Sequence, residues 1–196
     1  MYNQYREGFL EVICGCMFAG KTEELIRRIN VLSYAKKNIK SFKPKTDNRY
    51  SDHEIVSHAG VHIPCMVVDK PKEILKYIDD DTDVVAIDEV QFFNEDIVEV
   101  CEYLADKGIR VMVAGLDKDF RGVPFPVIAE LLPRAEFITK LTAVCAKCGA
   151  PATRTQRLIN GKPASFEDPI IMIGSSEQYE PRCRHCHKIL NKPHKF

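Results

Sequence analysis

The chain has 196 residues, a length suited to one domain or one domain with a small appendage. Hydrophobic residues are 45% and charged residues 29%, which excludes a disordered or low-complexity protein. Lys+Arg and Asp+Glu both number 28, so no global positive field draws the chain to nucleic acid or an anionic membrane.

Phe9 to Cys14 is an apolar, β-rich run, followed by a glycine-containing turn over Gly15 to Gly20. Lys21 to Lys37 predicts a helix, with Leu25, Ile26, Ile29, Leu32 and Tyr34 near helical spacing. Ile39 to Phe42 predicts a strand that Lys43-Pro44 ends, and the polar stretch Lys45 to Gly60 predicts a long loop. Val61 to Val68 alternates loosely and predicts one strand; Pro71 opens a short helix to Ile78. Val84 to Ile87 is a wholly apolar strand ending at Asp88. Asp96 to Lys107 predicts a helix stopped by Gly108, and Arg110 to Ala114 a buried strand. Pro126 to Leu132 predicts a short helix and Phe137 to Leu141 a strand.

Strand and helix thus alternate to residue 141, the pattern of a mainly parallel sheet in an α/β fold. Beyond residue 142 glycine, proline and cysteine rise and the helical period disappears. The expected division is 1–141 and 142–196. No apolar run approaches the ~18 residues of a spanning helix. Met1 to Gly8 carries Arg6 and Glu7 rather than an apolar signal, so a cytosolic chain is expected.

Gly15-Cys16-Met17-Phe18-Ala19-Gly20-Lys21-Thr22 matches G-x-x-x-x-G-K-[ST] between a strand and a helix. Such a loop wraps phosphates with backbone N–H groups and aims a helix N-terminus at them. Lys21 reaches the β- and γ-phosphates, and the Thr22 hydroxyl suits Mg²⁺. Asp88, at a strand end that faces the ligand crevice, is the second Mg²⁺ residue. Glu89 points elsewhere, toward the substrate, and suits a general base or a water positioner.

Cys145-x-x-Cys148 and Cys183-x-x-Cys186 are two knuckles separated by 34 residues. Four thiolates make a closed tetrahedral site, so structural Zn²⁺ is expected rather than a redox dithiol. His185 and His187 are alternatives to Cys186 as fourth ligand. Cys14, Cys65 and Cys101 read as inert buried thiols, with Cys16 the exception by its place in the phosphate loop. The stretch between the knuckles, about 160–181, holds an apolar Ile170-Ile171-Met172-Ile173. It fits either a lid over a flat ligand or a hairpin on the core.

These residues together resemble the type II thymidine kinases, a cytosolic zinc-containing family with a RecA-like P-loop core. The resemblance runs through GCMFAGKT at 15–22, DNRYS at 47–51 and Asp88-Glu89-Val90-Gln91-Phe92-Phe93. It continues through Gly115-Leu116-Asp117, Asp119-Phe120-Arg121, Pro124-Phe125, KLTAVCAKC at 140–148, Ile173-Gly174, Tyr179 and CRHCHK at 183–188.

The resemblance implies transfer of the ATP γ-phosphate to the 5′-hydroxyl of thymidine. It makes Glu89 the base, and puts Lys21, Thr22, Asp88 and Gln91 at the nucleotide and its Mg²⁺. It places Phe92, Leu116, Phe120 and Phe125 around the thymine ring and Thr155 near its 5-methyl. Ile170, Met172, Gly174 and Tyr179 fall in a "lasso" loop closing over the nucleoside. Cys145, Cys148, Cys183 and Cys186 become the zinc ligands. A homotetramer inhibited by thymidine triphosphate is further implied. Arg49 and Arg121 are candidate transition-state arginines, each alternatively an ordinary ion-pair partner.

The rival is a zinc-ribbon P-loop ATPase acting on nucleic acid, since Asp88-Glu89-x-Gln91 resembles a helicase segment. The short chain, zero net charge and long, apolar inter-knuckle stretch argue against it. A binding module with a degenerate P-loop is countered by the intact Lys21, Thr22, Asp88 and Glu89.

Overall fold

The computed structural model describes residues 8–45, 54–56, 60–170 and 177–193. The DNRYS segment, Arg49, Met172 and Gly174 lie outside them. The chain runs β1 (Phe9–Gly15), α1 (Lys21–Tyr34), β2 (Ile39–Pro44), β3 (Glu54–Val56), β4 (His62–Pro64) and β5 (Met66–Val68). It continues through a 3₁₀ segment (Pro71–Tyr77), β6 (Val84–Ile87), a 3₁₀ turn (Val90–Phe92), α2 (Asp96–Asp106) and β7 (Arg110–Leu116). Then come α3 (Pro126–Leu131), β8 (Phe137–Leu141), β9 (Ala143–Val144), β10 (Pro151–Ala152), β11 (Arg154–Ile159), β12 (Lys162–Pro163) and β13 (Glu177–Arg182).

Six strands form one parallel sheet in the order β5-β2-β6-β7-β1-β8. The α/β fold read from the alternation is the observed one. Side chains alternate across a strand, so the central strands feed two apolar layers. Leu10, Val12, Val85, Ile87, Val111 and Val113 pack with Ile97, Cys101 and Leu104 of α2 and with Ile128 and Leu131 of α3. Ile13, Val84, Ala86, Met112 and Ala114 face the other way, onto Leu25, Ile26 and Ile29 of α1. Truncating a fully buried Leu, Ile or Met of these layers to Ala costs about 2–5 kcal/mol.

Five expectations change. Tyr34 is 89% exposed and no part of the buried face of α1. At about 100° per residue it lies half a turn from Leu25. The helix also stops at Tyr34, because Lys36 adopts a left-handed conformation, φ 59°. The single strand expected over Val61–Val68 is two: β4 pairs antiparallel with β3, and β5 pairs parallel with β2. Pro64, which has no N–H to donate, is the last residue of β4, opposite Glu54, and Cys65 separates the two strands. The loop expected over Lys45–Gly60 contains β3, whose Ile55 is buried. Pro71–Tyr77 is helical as expected, but of the tighter 3₁₀ kind.

After β8 the chain makes two small sheets, β10-β9 and β12-β11-β13. β11 and β13 pair antiparallel from Arg154↔Arg182 to Ile159↔Glu177. The inter-knuckle stretch is therefore anchored at both ends by one ribbon.

Candidate functional site

Parallel pairing places the carboxyl ends of β1, β6 and β7 along one edge. Gly15 of β1 is opposite Leu116 of β7, and Ile87 of β6 is opposite Val113 of β7. The phosphate loop, Asp88-Glu89 and Leu116-Asp117 consequently meet, as expected at the crevice of a parallel sheet.

The loop runs from β1 straight into α1, whose first residue is Lys21. Gly20 takes the left-handed conformation, φ 82°, where a Cβ is strained. Phe18 also has positive φ, 65°, and is largely exposed. No side-chain cap covers the start of α1, so its first backbone N–H groups are available to an anion. Lys21 curls back over the loop, Nζ donating to the Cys16 carbonyl at 3.0 Å. Thr22 Oγ1 donates to Asp88 Oδ2 at 3.0 Å.

Asp88 is buried. Burial, then the neighbouring Glu89 carboxylate, push its carboxyl up to about 7, partly offset by the Glu89 N–H and Thr22 hydroxyl. A hydroxyl and a carboxylate are hard oxygen donors of the kind Mg²⁺ takes. A cation there would supply the charge compensation this buried carboxylate needs.

Glu89 is half-buried and left-handed, φ 52° and ψ 36°, at the entry to the Val90–Phe92 turn. This conformation is uncommon for a residue with a Cβ and turns its side chain away from Asp88. Gln91 Nε2 donates to Glu89 Oε2 at 2.5 Å. The other end of that amide accepts the Leu116 N–H at 3.0 Å. Gln91 thus spans the base candidate and the β7 backbone. Space for it depends on Gly115, where a Cβ would stand 2.5 Å from Gln91 Oε1.

Phe92 and Phe125 meet edge to face, ring centroids 6.3 Å apart, and Leu116, the last residue of β7, is half-buried. Phe120 is buried in the turn that follows β7. Asp119 organises that turn, its Oδ1 accepting the N–H groups of Arg121 and Val123. Arg121 forms an ion pair with Asp119 at 2.7 Å and lies over the Phe166 ring. Asp117, next to the phosphate loop, is buried between Lys118 and Lys140 at 2.9 and 3.0 Å. Burial pushes its carboxyl up, but the two lysines outweigh this and hold it below the ordinary carboxylate range.

The small sheets grip the phosphate loop directly. The Met17 N–H donates to Thr155 Oγ1 at 3.1 Å. Cys16 Sγ donates to the Ala152 carbonyl at 3.3 Å. Cys16 is buried, as are Cys14, Cys65 and Cys101, and burial pushes its thiol up. Ile170 is exposed, and Tyr179 is half-buried on β13 opposite Arg157.

The sulfurs of Cys145, Cys148, Cys183 and Cys186 all lie within 4.8 Å of one another. Cys148 and Cys183 are 3.7 Å apart, matching the ~3.8 Å edge of a tetrahedron built on Zn–S bonds of ~2.3 Å. The donor set therefore fits a structural zinc ion. Burial opposes ionisation of Cys145, but the backbone N–H groups of Cys183, Lys147 and Cys148 bring its thiol down to about 6. Neither histidine joins the cluster; His187 Nε2 is instead 2.8 Å from the Phe120 carbonyl.

Sequence reading missed Arg157, which is wholly buried on β11. An arginine on a short polar strand carries no local sign of burial. Among the described residues no helix is long and apolar enough to cross a membrane. Residues 8–187 match the family model described as thymidine kinase. That span contains the phosphate loop, the Asp88-Glu89 strand end and all four clustered cysteines, and the chain belongs to the thymidine kinase family.

Proposed function

We propose that the protein transfers the γ-phosphate of ATP to the 5′-hydroxyl of thymidine, giving thymidine monophosphate. The observation that carries this reading is the meeting of Lys21, Thr22 and Asp88 with Glu89, whose carboxylate is held by Gln91. Family membership supports thymidine as the acceptor.

In this reading the loop N–H groups and the start of α1 cradle the triphosphate. Lys21 leaves the Cys16 carbonyl for the phosphate oxygens. Thr22 and Asp88 would hold the Mg²⁺ that accompanies ATP and neutralises developing charge. Glu89 accepts the 5′-hydroxyl proton as that oxygen attacks phosphorus, and ADP leaves. Gln91 fixes the carboxylate and, through Leu116 N–H, ties it to the wall of the base pocket. Phe92, Leu116, Phe120 and Phe125 offer a planar apolar slot for thymine, with Thr155 beside it. Ile170 and Tyr179 belong to the segment over the nucleoside. Positioning and charge neutralisation supply most of the catalysis, because phosphoryl transfer asks little covalent chemistry of the protein.

Zinc on the four cysteines would stabilise residues 142–196, proposed here as the second, zinc-binding unit. Its grip on Met17 and Cys16 then makes zinc a support of the nucleotide site. The proposal extends to a cytosolic salvage enzyme, a homotetramer, and feedback inhibition by thymidine triphosphate.

The test is ADP release from Mg·ATP by the purified protein, with and without thymidine, and with single-stranded DNA in parallel. Thymidine-dependent release is expected. Release stimulated by DNA and not by thymidine would establish the nucleic-acid ATPase instead.

A further inference from the structure

Arg157 is the largest of the fully buried side chains among the described residues, at 0% exposure. A guanidinium does not lose its charge at accessible pH, so burial must be met by acceptors or a π face. Nη1 donates to the Pro169 carbonyl at 2.6 Å. The guanidinium carbon stands 5.0 Å from the centroid of the Phe120 ring. The Arg157 carbonyl accepts the Ala164 N–H at 3.1 Å, which holds the returning strand β12 alongside β11. Phe120 is also held by His187, through its carbonyl. One aromatic residue, on the turn after β7, is therefore fixed by two residues of the cysteine-bearing segment.

We propose that Arg157 is a positioning residue for nucleoside binding: it sets the plane of the Phe120 ring and locks the Pro169 turn against it. This rests on the reading that Phe120 lines the nucleoside pocket. An apolar side chain of similar volume would fill the same space without the cost of desolvating a charge. What it would not supply is a planar cation that fixes a ring face and donates to a carbonyl at once. A lysine supplies the donor but not the plane.

The experiment uses the full-length, zinc-loaded protein as wild type, Arg157→Met and Arg157→Lys. Initial rates are measured against thymidine and against ATP, with zinc content and Tm. Arg157→Met is expected to raise the thymidine KM about tenfold or more while the ATP KM and zinc content stay near wild type. Its kcat should fall by less than the KM rises. Arg157→Lys should recover part of the loss. A thymidine KM within about twofold of wild type in Arg157→Met overturns the proposal. So does a parallel rise of both KM values with loss of zinc, which is the signature of a purely structural role. Where Arg157→Met does not fold, Arg157→Lys decides alone by the same thymidine KM criterion. Wild-type protein without thymidine-dependent turnover sinks the parent reading, a result distinct from an unchanged KM in the variants.

Discussion

Gln91 Nε2 and Glu89 Oε2 are 2.5 Å apart, and they are two residues apart in a chain that turns left-handed at Glu89. The contact exists because of that turn: the backbone conformation aims the carboxylate off the line of Asp88 and onto the amide. Two adjacent acids at one strand end thereby take separate tasks. Asp88 is left to the Thr22 hydroxyl, and Glu89 to Gln91.

Glu89→Gln should lower phosphoryl transfer by at least about 10²-fold, the usual scale of a lost general base. ATP affinity and Tm should stay close to wild type, because the amide is isosteric and Glu89 is not part of the apolar layers. Steady-state turnover with a parallel ATP titration checks this. Near-native turnover would remove Glu89 from the role of base.

Gly115→Ala tests the support of that base from behind. The new Cβ would lie 2.5 Å from Gln91 Oε1 and 2.9 Å from Val90 Cγ1, so Gln91 must shift. Glu89 and the Leu116 N–H then lose their partner. A fall in kcat of about tenfold is expected, matched by Gln91→Leu. The double variant should be little worse than either single, since both break one network. Additive losses would show that Gly115 and Gln91 act separately.

Much of this site was legible before the fold, and the boundary is physical. Local signals carried the phosphate loop, the Asp88 strand end and the four cysteines, because each depends on near neighbours in sequence. Period carried the mainly parallel sheet. The contacts that join the parts were not legible. Met17 and Thr155 are 138 residues apart, and Gln91 and Leu116 25 apart, so no local pattern records them. The division of Val61–Val68 was readable in principle, since β4 ends on Pro64, but loose alternation masks it. Tyr34 shows the limit of counting apolar residues without projecting them around the helix.

Zinc removal should act beyond the cysteines. Cys183→Ser, or chelation under denaturant, should abolish zinc binding and unfold the small sheets, since site formation and folding are coupled. ATP affinity should weaken too, because Thr155 and Ala152 hold the phosphate loop. Maleimide labelling gives a second readout. In the native zinc protein Cys65 and Cys101 should resist modification, their thiols pushed up to about 11 and about 12 by burial. Gentle zinc loss should then release Cys145, Cys148, Cys183 and Cys186 and leave the buried thiols protected. Zinc-free protein that binds ATP as tightly as wild type would contradict the coupling.

Acid should find the Glu24 cluster. Arg27 first, and then Arg28, hold the Glu24 carboxyl down to about 2. A lowered folded-state value means stability that is present above the ordinary carboxylate value of about 4.5 and is lost as pH falls toward 2. The pair is partly exposed, so the effect is small, about 1–3 °C in Tm. Glu24→Gln should flatten the Tm profile over that window and leave it unchanged at pH 7 to within the loss of the pair itself. An identical acid slope in both proteins would assign the acid sensitivity to other carboxylates.

The most direct measurement follows the phosphorus. Wild-type protein is incubated with thymidine and Mg·ATP carrying ¹⁸O in the γ-phosphoryl group, beside a reaction with 5′-deoxythymidine in place of thymidine. Mass spectrometry should find labelled thymidine 5′-monophosphate in step with ADP in the first, and no phosphorylated nucleoside in the second. ADP without labelled nucleotide, or equal ADP release with 5′-deoxythymidine, would contradict a kinase acting on the 5′-hydroxyl.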